Sequence, residues 1–198
     1  MIGLTRLEDV ADAVDRYCAG VEAFESFVAI ALESEGFVVS GSVKFPVTIQ
    51  INPVAGPKEQ THGFEVDLVG ARADRLVLAS VKSFFGSRGV VAQHVTGDTT
   101  NTRARKLYRL LNDVPIRDKV IAGAAARYGY QPWQVQLRFY VGKFAVPVQG
   151  SDKAKVEQWC SEQHAGAGPI AVYGVDEVVA QVLQWSVPDL VDTRLRGL

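Results

Sequence analysis

The chain runs Phe64-Glu65-Val66-Asp67-Leu68-Val69-Gly70, then Ala71-Arg72-Ala73-Asp74, then Arg75-Leu76-Val77-Leu78-Ala79-Ser80-Val81-Lys82. Two Val- and Leu-rich runs around a short polar turn predict a β-hairpin over 64–84. Alternate residues of a strand share a face. Phe64, Val66 and Leu68 are therefore expected on one side, and Glu65 and Asp67 on the other. Ser80 and Lys82 share a face of the second strand, and pairing can bring Asp67 beside both. Leu76 to Ala79 is apolar on both faces, which predicts a central, covered strand. A lysine at the end of such a strand needs a partner or a task.

Upstream, Val21, Phe24, Val28, Ala31 and Leu32 recur at helical spacing, so the first 35 residues are expected as helix, stopped at Gly36. Glu25 falls about 40° from Val21 on the helical wheel, at the border of the apolar stripe. Glu22 and Glu33 lie further round, toward solvent. Residues 37–51 read as extended chain with breaks at Gly41 and Pro46, and 52–63 as a turn-rich loop. Downstream, 86–102 read as loop, 103–113 as one short basic helix, 115–128 as a helix stopped at Gly129, and 135–144 as a strand. A helix from Asp152, a short strand at 169–174 and a last helix from Val175 follow.

The order α, three strands, α, β, α, β, α predicts an α/β fold with a mixed sheet flanked by helices. No G-x-G-x-x-G joins a strand to a helix and no Walker-type loop is present, so a parallel dinucleotide-binding fold is excluded. The length of 198 residues suits one domain, 1–198. Hydrophobic residues make up 47% and charged residues 22%, an ordinary globular composition. The net charge of −1 excludes a wholly basic nucleic-acid binder. The charge is uneven: residues 1–87 carry net −5, 88–119 net +4, and 120–198 balance. Cys18 and Cys160 have no metal-ligand spacing and form no disulfide framework. The N-terminus shows no signal-peptide pattern. The longest strongly apolar run, Phe27 to Leu32, is far short of the roughly 20 residues that span a bilayer. A cytoplasmic protein with no membrane partner is the expectation.

The helix carrying Glu25, the run GFEVDLVG and the run LVLASVK together resemble the PD-(D/E)XK nuclease superfamily, over about residues 19–142. The resemblance implies a restriction-endonuclease-like αβββαβ core, with a C-terminal αβα extension at about 151–198. It implies a metal-dependent endonuclease that hydrolyses DNA phosphodiesters with Mg²⁺ or Mn²⁺. Glu25 and Asp67 would hold the metal, the carbonyl of Val81 would add a ligand, and Lys82 would be the catalytic lysine. Ser80 stands in the place of the family's second acid. That departure lowers the charge of the metal site and leaves turnover open. Glu65 and Asp98 are the nearby carboxylates that could compensate.

The basic block fits a DNA partner: Arg103, Arg105, Lys106 and Arg109 have the residue types that meet phosphates. Ser83, Ser87 and Arg88 could add phosphate contacts. Two other readings stay open. One is a catalytically inactive member of the same fold that binds nucleic acid or a protein partner. The other is a structural α/β domain in which Asp67 and Lys82 are only a cross-strand ion pair. A homodimer is also open, since double-strand cutters pair two sites. Phe84, Phe85, Trp133, Trp159 and Trp185 are expected as packing residues, and His62 and His94 as ordinary surface or structural histidines.

Overall fold

A computed structural model describes residues 23–51, 56, 58–147 and 150–186. The expectations for residues 1–22, including Val21, Glu22 and Cys18, and for 52–55 and 57 lie outside the described residues, while residues 58–63 of the loop expected at 52–63 are strand, paired with β1.

Helix α1 covers residues 23–34. It is followed by β1 (Val38–Ile51), β2 (Lys58–Arg72) and β3 (Arg75–Lys82). Short helices α2 (Ala92–Thr96), α3 (Thr102–Lys106) and α4 (Arg109–Asn112) lead into α5 (Val114–Tyr128) and β4 (Val135–Val141). Then come α6 (Asp152–Ser161), the two-residue strands β5 (His164–Ala165) and β6 (Gly168–Pro169), β7 (Ala171–Gly174) and α7 (Val175–Ser186). Among the described residues, five strands form one mixed sheet in the order β1-β2-β3-β4-β7. The first three are antiparallel, and β3, β4 and β7 run parallel. The strand β7 of the C-terminal segment adds to the main sheet beside β4.

Two apolar layers cover the sheet. Leu76 and Leu78 join the larger one, together with α5 and β4 residues such as Val120, Leu137 and Phe139. Val77, Ala79 and Val81 join the other, against Phe24, Val28, Ala31 and Leu32 of α1 and Val178 of α7. The expected apolar stripe of α1 is thus its buried face. Leu76 to Ala79 have no exposed surface, so β3 is the covered central strand. Each fully buried Leu or Val there contributes roughly 1.5–3 kcal/mol. Helix α5 begins where Asp113 accepts from the Ile116 amide and ends at Gly129, whose φ of 78° suits a residue without Cβ.

Several local expectations are corrected. Leu68 does not share a side with Val66: it packs against α1, whereas Val66 and Val69 both face the α5 layer. The side-chain alternation slips because the β1–β2 ladder is interrupted at Ser42, whose φ is 52°, directly across from Asp67. Gly41 and Pro46 do not break β1, which pairs with β2 on either side of Ser42. The hairpin turn is only Ala73–Asp74, and β3 stops at Lys82 rather than running on to residue 84. Residues 92–96, expected as loop, form α2, and the basic segment forms two helices interrupted at Leu107–Tyr108 because Tyr108 turns its ring into the core. Trp133 and Trp185 are exposed at 68% and 54%. Trp133 sits in a short 3-10 turn before β4, and Trp185 near the end of α7; only Trp159 packs against the core.

Candidate active site at a fork between strands

The β2–β3 ladder runs from Arg72↔Arg75 to Leu68↔Ala79 and goes no further. Beyond it β2 continues with β1 alone, as an arm that bends over α5. Arg127 of α5 donates to the Lys44 carbonyl at 3.2 Å, and Lys119 donates to that of Thr48. Strand β3 continues with β4 as far as Lys82↔Val141. The two strands therefore part at Asp67. A fork of this kind strips backbone groups of their ladder partners, and buried donors left so cost about 1–3 kcal/mol each.

Asp67 fills the gap with its side chain. Its Oδ2 accepts from the Val81 amide at 2.6 Å, from Lys82 Nζ at 3.2 Å and from Ser80 Oγ at 3.4 Å. Lys82 Nζ also donates to the Val81 carbonyl at 3.0 Å. Both main-chain groups of Val81 thus face the fork rather than a neighbouring strand. No described donor reaches Asp67 Oδ1. The side chains of Asp67 and Lys82 are 28% and 18% exposed, while Ser80 is buried. A part-exposed ion pair contributes about 1 kcal/mol or less. That is small beside the apolar burial along β3, so the sheet does not depend on the pair.

Glu25 is half-buried on α1 and lines a cavity of about 320 Å³ with Ser26, Ala29, Ser42 and Leu68. Leu68 follows Asp67 in the chain and Ser42 lies across from it, so the cavity borders the fork. Phe85 stacks edge-on against Phe24, ring centres 5.5 Å apart, which ties the segment after Lys82 to the helix carrying Glu25. Glu65 pairs with Lys44 at 3.4 Å, and Asp98 accepts from the Thr96 hydroxyl at 2.8 Å. Among the described residues no three His, Cys, Asp or Glu side chains converge as a metal-holding group.

The basic residues fall into two places. Arg105, Lys106 and Arg109 line an open cavity of about 530 Å³ together with Gly97, Asn112 and Asp113. Arg109 is partly neutralised by Asp113 at 3.2 Å. Arg103 is exposed on α3 but does not line the cavity. Ser83 is buried, while Ser87 and Arg88 are exposed in the loop after β3.

One further polar cluster has its signal in the sequence as a lone arginine inside the apolar strand VQLRFYV. Arg138, 4% exposed, donates twice to Glu35, at 2.6 and 2.8 Å, and to Gln136 and Tyr140. Gln181 of α7 donates to the same Glu35 carboxylate at 2.9 Å, and Arg72 donates to the Glu35 carbonyl. Burial alone pushes the Glu35 carboxyl up, but hydrogen bonds from Arg138 and Gln181 outweigh it and hold the group below its ordinary value. This cluster joins the end of α1 to β4 and α7.

No helix among the described residues is long and apolar enough to cross a membrane. Comparison of the chain with protein-family models and with curated proteins gives no match.

Proposed function

We propose that the fork is the centre of a metal-dependent nuclease of restriction-endonuclease-like fold, acting on the phosphodiester backbone of DNA. The observation that carries this reading is the convergence of Asp67, the two main-chain groups of Val81 and Lys82 where β2 and β3 part. The order α1-β1-β2-β3-α5-β4, with β3 and β4 parallel, supports it.

The donors present suit a hard divalent cation. Such an ion takes one or two carboxylates and keeps water and substrate phosphate for the rest of its shell. Asp67 Oδ1 and the Val81 carbonyl are oxygen donors at the fork, and Glu25 is the helix carboxylate beside it. When bound, the cation polarises a phosphoryl oxygen and lowers the pKa of a coordinated water. Lys82 places a positive charge where negative charge grows at phosphorus. Asp67 Oδ2 and the Val81 carbonyl fix the direction of that ammonium, and Ser80 orients Asp67 through its hydroxyl. The cationic cavity at Arg105, Lys106 and Arg109, with Arg103, supplies contacts to the backbone of the polynucleotide.

The test is nicking of supercoiled plasmid and of a branched DNA with Mg²⁺ or Mn²⁺. Asp67→Asn is preferred to Asp67→Ala, because the amide oxygen still accepts from the Val81 amide. Cleavage by the wild type that falls by at least about 100-fold in Asp67→Asn and in Lys82→Ala, with melting temperatures nearly unchanged, is the expected result. A second reading is favoured by Ser80, which leaves the fork one carboxylate short: a protein of the same fold that binds nucleic acid without cutting it. Salt-sensitive DNA binding with no cleavage under either metal selects that reading.

A further inference from the structure

We propose that Lys143 binds a backbone phosphate of the same polynucleotide, on the side of the fork built by the loops that follow β3 and β4. This rests on the nucleic-acid reading of the fork.

The two parallel strands end level with each other, Lys82 opposite Val141, and the Gly142 amide donates to the Lys82 carbonyl at 2.9 Å. Lys143 thus leaves the sheet immediately beside the lysine of the fork. Carboxyl ends of adjacent parallel strands are where open α/β sheets take their ligands.

The loops are locked together. A Cβ at Gly142 would stand 2.5 Å from the Ser83 carbonyl oxygen and 2.7 Å from the Phe85 ring. A Cβ at Gly89 would stand 2.7 Å from the Phe144 carbonyl carbon. The Val90 amide donates to the Lys143 carbonyl at 2.9 Å, and the Ala145 amide to the Val90 carbonyl at 2.8 Å. Phe84 holds a φ of 45° within the same segment, a backbone cost that only firm surroundings sustain.

On this rigid clasp the Lys143 ammonium is exposed and donates to the Ser87 carbonyl at 2.7 Å. It has two further donors. Neither Lys143 nor Arg88 forms an ion pair with a described residue. Lys143, held by the Ser87 carbonyl at the level ends of β3 and β4, carries a charge that no described carboxylate offsets and that suits a polyanion.

The test measures binding of a fluorescent DNA duplex by anisotropy, without divalent metal, over a series of salt concentrations. Lys143→Gln keeps a donor for Ser87 but removes the charge, and Lys143→Arg restores it. In Lys143→Gln the slope of log affinity against log salt is expected to fall by about one, with several-fold weaker binding at low salt. Lys143→Arg is expected to return the wild-type slope, and both variants to melt with the wild type. A wild-type slope in Lys143→Gln overturns the proposal while the nuclease reading stands. Inorganic phosphate that binds the wild type but not Lys143→Gln, while DNA stays bound to both with the same salt slope, overturns it in favour of a free-phosphate site. Absence of salt-dependent binding by the wild type overturns both readings.

Discussion

Ser80 is the residue on which the chemistry of the fork turns. Its buried hydroxyl stands 3.4 Å from Asp67, where a carboxylate would bring a second negative charge toward the same lysine. Without metal, two carboxylates sharing Lys82 repel each other, so Ser80→Asp is expected to lower the melting temperature. On the proposed metal-binding reading the sign reverses with metal present, because the added charge would serve as a ligand. Mn²⁺ affinity measured by calorimetry is expected to rise by at least about tenfold in Ser80→Asp, and saturating Mn²⁺ to recover the lost melting temperature. Unchanged Mn²⁺ affinity would remove the fork as a metal site. The meeting of Asp67 with Ser80 and Lys82 was legible in the sequence, because two apolar runs joined by a short polar turn pair as a hairpin, although that turn is two residues long and not the four expected. The burial of Ser80 extends the covered run, expected over Leu76 to Ala79, by one residue.

At the scale of elements, the arm of β1 and β2 depends on one kink. Ser42 adopts a left-handed backbone across from Asp67, and there the two strands exchange which side their apolar residues face. This is why Leu68 turns toward α1 while Val66 stays on α5. A serine announces no such conformation. A glycine at 42 would have, and the neighbouring Gly41 points to the wrong position. The left-handed region costs an L-residue roughly 1–2 kcal/mol, and glycine gives part of that back through its own entropy. Ser42→Gly is therefore expected to stabilise the protein by about 0.5–1 kcal/mol in urea unfolding. A loss of stability would mean that the serine side chain, and not the backbone, holds the kink. The interruption of the basic segment at Leu107–Tyr108 was hidden for a different reason: Tyr108 is drawn into the core by contacts with distant Phe139.

Across the whole molecule, Glu35 and Arg138 connect layers that are 103 residues apart in sequence, and no local pattern pairs them. The strand around Arg138 is otherwise apolar, so its guanidinium has to be compensated by something that only the fold supplies. A carboxyl with a lower pKa folded than unfolded adds stability above its unfolded value, and that addition is lost as pH falls through the folded one. Glu35→Gln removes the addition at every pH. It is expected to cost about 3 kcal/mol at neutral pH, a fall of roughly 10 °C in Tm. The difference from wild type should close as pH drops below about 4.5, the ordinary value for this carboxyl, in melts carried down to about pH 3. A constant difference across that range would show that the pair is not what the variant removed.

The parting of β2 and β3 also bears on the order in which the chain assembles. Asp67 and Lys82 are joined through a hairpin, so closing them costs little loop entropy. The neighbour on the other side, β4, arrives only after a crossover of more than fifty residues, and parallel pairing of that kind is slow. The meander of β1, β2 and β3 therefore forms with one edge of β3 still bare, and its apolar run from Leu76 to Ala79 is the surface that the nascent chain must shield until β4 docks. The charged end at Lys82 marks where that run stops.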